Sequence, residues 1–433
     1  MHRFYLREGT LYCEEQDLFE LAAQYGTPLY VYSASTIRDN FRRLEAAFSP
    51  LNHLICYAVK ANSNLSLLHS LAKLGSGFDI VSGGELYRVL QAGGQADRCV
   101  FAGVGKTRQE IQYAIEQGVY CFNVECEGEL ETINEIAGTL GKKAPIAIRI
   151  NPDVDARTHR YISTGKTHNK FGIGLDRAGE IYSYAARLPN LQIRGIQTHI
   201  GSQVLSIQPF LEAIQKLLPF VKQLKEDSSI EFFSVGGGVG IVYAEALESG
   251  SPEWWQKTHP TPITFEEYAA ELLPLLAPLG LKILFEPGRS IIGNAGVLIT
   301  QVVQIKKNPA KRFVIVDSGM NDLIRPALYE AFHQVVPLKP TPPHPGDLAD
   351  LVGPVCESGD FFLQDAKLPD LKPGDYLALM SAGAYGFVMS SHYNSRPLAA
   401  EVLVDGSRSF LIRERESWKD LIRAESALLA QFQ

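Results

Sequence analysis

The chain has 433 residues, a hydrophobic fraction of 45% and a net charge of -7 from 41 Lys and Arg against 48 Asp and Glu. That length exceeds what one hydrophobic core usually organises, so two domains are expected. The acidic balance, with no run of basic residues, excludes nucleic acid and an anionic membrane as electrostatic partners and leaves a small molecule. The first residues include Arg3, Arg7 and Glu8 but no long apolar stretch, so neither a signal peptide nor a membrane span is expected, and the expected location is the cytoplasm.

In chain order, the first 34 residues contain one strand-like run, GTPLYVYS at 26–33. From 53 to 288 short apolar runs alternate with segments of helical spacing. The runs are LICYAVK (54–60), FDIVS (78–82), CVFAG (99–103), CFNVE (121–125), PIAIRIN (145–151), IRGIQTHIG (193–201), FFSVGG (232–237) and KILFEPG (282–288). Between them lie amphipathic stretches such as NLSLLHSLAKLG (64–75) and TFEEYAAELLPLLAPLG (264–280). Eight such alternations predict an α/β fold, a (β/α)8 TIM barrel over 35–288. After Arg289 the runs VLITQVVQIKK (297–307), RFVIVDSG (312–319), DYLALMSAGAY (375–385) and AEVLVDG (400–406) predict an antiparallel β domain over 289–433, completed by residues 1–34. KPTPPHPGD (339–347) reads as a surface loop. The six cysteines, Cys13, Cys56, Cys99, Cys121, Cys126 and Cys356, lack metal-finger spacing, so no metal and no disulfide framework is expected; the first five read as small buried hydrophobes.

Barrels of this kind place chemistry at the carboxyl ends of their strands, and the polar residues fall there. Lys60 ends the first run, Asp79 and Ser82 lie in or end the second, Arg149 and Asn151 the fifth, and His199 and Ser202 the sixth. Gly236, Gly237 and Gly238 end the seventh, and Glu286 and Arg289 the eighth. A single strand-end lysine most often just reaches water, but a buried ammonium must be paired, neutral or covalently bound, which is also a Schiff-base lysine's setting. A glycine run after a strand lets backbone approach a phosphate. Lysine, glycine cradle and a carboxylate for a ring nitrogen together fit one cofactor, pyridoxal 5'-phosphate.

The motifs YAVKAN (57–62), GFDIVSGGELYR (77–88), NKFGIGL (169–175), HIGSQ (199–203), GGGVGIVY (236–243), EPGRSIIGNAG (286–296), DSGMNDLIRPALYEAFH (317–333), GPVCESGDFF (353–362) and GAYGFVMSSHYNSRP (383–397) carry a resemblance over about residues 5–415. The chain resembles the diaminopimelate decarboxylases, of the alanine-racemase-like fold type of pyridoxal-phosphate enzymes. The resemblance implies decarboxylation of meso-diaminopimelate to L-lysine and carbon dioxide, the last step of lysine biosynthesis.

It also implies roles. Lys60 would hold the cofactor as a Schiff base, His199 would lie against the ring face, and Glu286 would face the ring nitrogen. Ser202, Gly237, Gly238, the backbone of the turn through Gly288 and Arg289, and Tyr385 would hold the phosphate. Arg289, Arg325, Tyr329, Glu357 and Tyr385 would hold the substrate, and Cys356 would protonate it after carbon dioxide leaves. Asp79, Glu85 and Arg149 match supporting positions near Lys60. Family members are homodimers whose shared sites take the Cys356–Glu357 segment from the neighbouring subunit. The chain departs from the usual pattern at Ser234, where an acidic or amide residue is common, and at His392 and Leu398.

The residues support this substrate independently: a guanidinium pairs bidentately with a carboxylate and Glu357 suits an ammonium, which matches a substrate end carrying both. An ornithine decarboxylase needs only the acidic partner. An amino-acid racemase of this fold usually sets an arginine, not Glu286, against the ring nitrogen. A non-catalytic homologue is expected to lack Lys60 or Cys356.

Overall fold

The computed structural model describes residues 1–155, 170–228, 230–257, 262–343 and 348–432. Asn169 of the NKFGIGL motif and residues 344–347 of the proline-rich segment lie outside them. Contacts divide the chain into two compact units, one of Arg38–Ile241 with Pro260–Ile291, the other of Met1–Ile37, Val242–His259 and Ile292–Gln433. Val242–His259 falls inside the range expected for the barrel but packs with the second unit.

In the first unit the strands His53–Ala58, Gly77–Ile80, Cys99–Phe101, Cys121–Val124, Ala144–Asn151, Leu191–Gln197, Phe232–Ser234 and Lys282–Phe285 pair in parallel in that order. The last pairs with the first and closes the barrel. Each strand is one of the expected apolar runs; seven of the eight stop short of the run's carboxyl end, and Ala144–Asn151 keeps its full carboxyl end. A short strand, Ile173–Gly174, pairs in parallel with Ile150 and Asn151 at the carboxyl end of Ala144–Asn151. The barrel is filled, as a parallel sheet buried on both faces requires. Leu54, Cys56, Val100, Cys121, Ala147, Phe232 and Leu284 form one packed cluster. Gly195 makes room for it, since a Cβ there would come within 2.6 Å of the Phe232 ring.

Capping sets where the outer helices begin. Thr107 and Glu110 form a reciprocal capping box at the start of Arg108–Gln117, and Thr264 and Glu267 do the same for Phe265–Leu276. Ser82 Oγ accepts from the Glu85 amide and starts Gly83–Gln91, so Ser82 is a helix cap.

The second unit is built on a sheet in the order Phe361–Ala366, Ala349–Val352, Arg312–Val316, Gly296–Lys307, Leu29–Ser33, Ala400–Asp405, Arg408–Arg413. Tyr376–Leu379 also pairs with Gly296–Lys307, and Val335–Pro337 with Tyr376–Leu379. The N-terminal run GTPLYVYS supplies a central strand, as expected, but the sheet is mixed. Arg312–Val316 runs parallel to Ala349–Val352, and Ala400–Asp405 parallel to Leu29–Ser33. Hairpin connections force antiparallel pairing, whereas strands separated by long stretches of chain can pair in either direction. Its core gathers Leu18, Leu21, Val31, Val297, Ile299, Ala378 and Val402 around this sheet.

Candidate active site

The expected barrel residues converge at the carboxyl ends of the strands. Lys60 does not end its strand: the ladder stops at Ala58, and Lys60 sits on a 3-10 turn, Val59–Ala61. Its Nζ donates to Asp79 Oδ2 at 2.7 Å, where Asp79 is fully buried and the lysine side chain remains 38% exposed. A buried carboxylate anchors a reachable amine, which is the arrangement a covalent lysine needs. Asp79 Oδ1 is buried with no partner among the described residues.

Glu286, one residue past Lys282–Phe285, lies in the barrel mouth with both oxygens engaged. Ser234 Oγ donates to Oε1 at 2.6 Å, Gln197 Nε2 to Oε2 at 2.9 Å, and Asn123 Nδ2 to Oε1 at 3.4 Å. Burial first, then the Asp79 carboxylate, push the Glu286 carboxyl up to about 7, against the Ser234 bond, the Lys60 charge and the Gln197 bond.

His199 Nδ1 accepts from the Gly237 amide at 3.2 Å, which assigns the ring proton to Nε2. Desolvation, then the charges of Arg149 and Lys60, hold its imidazole well below the usual range, so the ring is neutral. Arg149 Nη1 donates to Glu125 Oε1 at 3.0 Å, and its guanidinium lies 4.9 Å over the Phe171 ring. Glu125 also accepts from the Gly172 amide at 2.8 Å. Arg149 Nη2 is buried with no partner among the described residues. Glu85 Oε2 accepts from the Val81 amide at 2.7 Å, and desolvation pushes its carboxyl up to about 7 against that bond and the Lys60 charge.

Arg289 and Ser202 meet: Arg289 Nη2 donates to Ser202 Oγ at 3.0 Å. The glycine run is fixed by its neighbours. A Cβ at Gly237 would collide with the Glu286 carbonyl oxygen, and one at Gly238, with φ +116, would lie 2.5 Å from the Gly201 carbonyl. At Gly288 it would lie 2.9 Å from Ala61 Cβ, so bare backbone faces the Lys60 turn there. A reachable amine, a buried carboxylate with donors on each oxygen, and Asp79 Oδ1 and Arg149 Nη2, both buried and without a hydrogen-bond partner among the described residues, form a donor set that fits pyridoxal phosphate.

The remaining expected residues belong to the sheet unit. Arg325 is buried and opens the short helix Arg325–Tyr329, which ends on Tyr329. Its Nη1 donates to Tyr243 Oη at 2.7 Å, with the guanidinium 4.7 Å over the same ring. Tyr385 is held in the left-handed region with φ +55. Cys356 and Glu357 are exposed. The Cys356 amide donates to Asn394 Oδ1 at 2.8 Å, and Tyr393 Oη lies 3.4 Å from Glu357 Oε2. Asp360 pins the base of this loop, accepting from the Val355 and Met320 amides at 2.6 Å each. Cys126, expected among the buried thiols, is exposed at the start of Glu127–Thr139, because a strand-end residue that caps a helix faces solvent.

Four contributors escape the sequence reading: Glu125, Gln197 and Asn123 in the barrel and Tyr243 in the sheet unit. Glu125 and Gln197 carry the strand-end signal that selected the others, while Tyr243 closes the GGGVGIVY motif.

Residues 34–293 match the family described as pyridoxal-dependent decarboxylase, pyridoxal binding domain. Among curated proteins, the chain is 51% identical over 426 residues to a diaminopimelate decarboxylase of Vibrio cholerae, covering 98% of each, and 48% identical over 430 residues to one of Haemophilus influenzae, covering 99% of this chain and all of that protein. Among solved structures, diaminopimelate decarboxylase from Helicobacter pylori complexed with L-lysine superposes with a TM-score of 0.87 at 45% identity, covering 95% of this chain and 100% of that one.

Proposed function

The chain belongs to the diaminopimelate decarboxylase family of pyridoxal-dependent decarboxylases, and from that premise we propose how its side chains divide the work. The protein is a pyridoxal-phosphate-dependent lyase that decarboxylates meso-2,6-diaminopimelate to L-lysine and carbon dioxide. The observation that carries the assignment of parts is the barrel mouth itself, where the Lys60 amine is anchored on Asp79 and Glu286 is buried with donors on both oxygens.

Bound pyridoxal phosphate supplies the electron sink that draws off the electron pair left on Cα when the carboxyl group departs. Lys60 carries the cofactor, and Asp79 orients its Nζ. Glu286 would face the ring nitrogen, and His199, neutral, would lie against the ring without adding a charge. Ser202, Gly237, Gly238, Gly288, Arg289 and Tyr385 hold the phosphate. Arg289, Arg325, Tyr329, Glu357 and Tyr385 hold the substrate, the guanidiniums pairing its distal carboxylate and Glu357 its distal ammonium. Cys356 Sγ delivers a proton to Cα after carbon dioxide has left.

The protein acts as a homodimer in the cytoplasm, each Cys356–Glu357 segment serving the neighbouring subunit. The exposure of both residues supports that reading. Among the described residues no helix is long and apolar enough to cross a membrane.

The test is an assay of purified protein with pyridoxal phosphate and meso-diaminopimelate, scored for L-lysine and carbon dioxide beside ornithine, lysine, arginine and carboxynorspermidine. Turnover of diaminopimelate above all four is expected; preference for any of the four would overturn the substrate assignment.

A further inference from the structure

Ser234 is one of three positions, with His392 and Leu398, at which the chain departs from the usual pattern of the family it resembles, and the structure gives it a specific partner. It is fully buried at the end of Phe232–Ser234. Its hydroxyl has one proton, and two contacts decide where that proton points. The Gly236 amide donates into Ser234 Oγ at 3.3 Å, which occupies the oxygen as an acceptor, and Ser234 Oγ donates to Glu286 Oε1 at 2.6 Å. The turn needs only the first of these bonds. The second is a short bond of the kind made to a charged acceptor. The Glu286 amide in turn donates to the Gly236 carbonyl at 2.8 Å, so the glycine turn and the carboxylate are tied in both directions.

We propose that Ser234 is a positioning residue that keeps Glu286 in its charged form beside the ring nitrogen of the cofactor. This rests on the reading that Glu286 faces that nitrogen. The need for such a donor follows from the surroundings. Glu286 is buried, and the groups that bear on it are the Asp79 carboxylate, the thiols Cys56 and Cys121, and the Lys60 ammonium. Burial and Asp79 favour a protonated carboxyl; Lys60 and the hydrogen bonds from Ser234 and Gln197 favour the carboxylate. Asn123, at 3.4 Å, is the longest of the donors. An acidic residue at 234 would need a shared proton to make the same contact, whereas a hydroxyl donates and leaves Glu286 its full charge. Without the Ser234 donor the more basic carboxyl takes the proton from the ring nitrogen: the N–H bond breaks, an O–H bond forms on Glu286, and the ring becomes neutral and a weaker electron sink.

The test is nitrogen NMR of the holoenzyme loaded with cofactor labelled with 15N in the ring, in wild type, Ser234→Ala, Ser234→Thr and Glu286→Gln. The wild-type signal is expected at a pyridinium position. In Ser234→Ala it should move toward a neutral pyridine, with kcat lower by roughly tenfold or more, and Ser234→Thr should restore both. Glu286→Gln should reach the neutral position fully. If Glu286→Gln moves the signal and Ser234→Ala leaves it in place, Ser234 only closes the turn and the inference fails alone. If Glu286→Gln leaves the signal in place, the reading of Glu286 as the ring-nitrogen partner fails and takes the inference with it.

Discussion

The barrel and the sheet unit hold their candidate residues in opposite ways. In the barrel Asp79, Arg149 and Glu286 are buried and bonded to side chains or backbone of the same unit, so their geometry is set before any ligand arrives. In the sheet unit Arg325 is held similarly, by Tyr243, but Cys356 and Glu357 stand exposed on a loop secured from below by Asp360. Preorganisation suits groups that hold a permanent cofactor, since reorganisation at each turnover would raise the barrier. Cys356 and Glu357 are instead presented outward from a loop fixed at its base.

The largest expected effect breaks the barrel half. Lys60→Ala should lower activity by roughly a thousandfold or more, since both covalent attachment and an active-site amine are lost. In wild type, borohydride reduction should fix a phosphopyridoxyl group on Lys60, read by mass spectrometry after proteolysis. A label on Lys106 or on Lys166, which lies outside the described residues, would overturn the assignment. The structure already speaks against Lys106, whose fully buried Nζ donates to Glu129 at 2.6 Å and to the Gly103 and Asn123 carbonyls.

Next comes the sheet unit's buried cation. Arg325→Ala removes a charge-assisted pairing with about 1.5 to 3 kcal/mol, or roughly one to two decades in kcat/KM for diaminopimelate. The cofactor spectrum should be unchanged; loss of cofactor instead would place Arg325 with the barrel set.

The smallest effect sharpens the claim that the barrel mouth is preorganised at a cost. The Glu85 carboxyl is raised to about 7 when folded, above its unfolded value near 4.5. The folded chain therefore binds more protons in that window, and stability is fully present below the lower value and falls as pH rises through the upper one. Apo Glu85→Gln should match wild type in thermal unfolding at pH 4 and exceed it at pH 8 by about 2 kcal/mol. Equal stability at both pH values would contradict a desolvated Glu85.

Most of the barrel was legible because each buried parallel strand is a short, mainly apolar run, and the site followed because its side chains cluster where those runs end. The sheet unit was less legible. Ala349–Val352 is four residues long beside a proline-rich stretch, and its parallel pairing with Arg312–Val316 leaves no trace in local periodicity. Lys60 was found but misplaced by two residues, since a 3-10 turn of Val59–Ala61 continues the apolar run of its strand. Ser234 stood out only as a departure; its role depends on a bond to Glu286, 52 residues further along the chain, which no spacing announces. Cys126 went the other way: it caps a helix between Glu125 and Glu127 and is exposed, which its residue type alone does not announce.

The contrast between the two regions is tested most directly by mixing subunits. Lys60→Ala and Cys356→Ala proteins should each be nearly inactive. After co-refolding in equal amounts, random exchange in a closed twofold dimer makes about half the dimers mixed, each with one intact site of two, so activity should recover to about a quarter of wild type. No recovery, with subunit exchange demonstrated, would mean that Lys60 and Cys356 serve one site from one chain and would contradict the account.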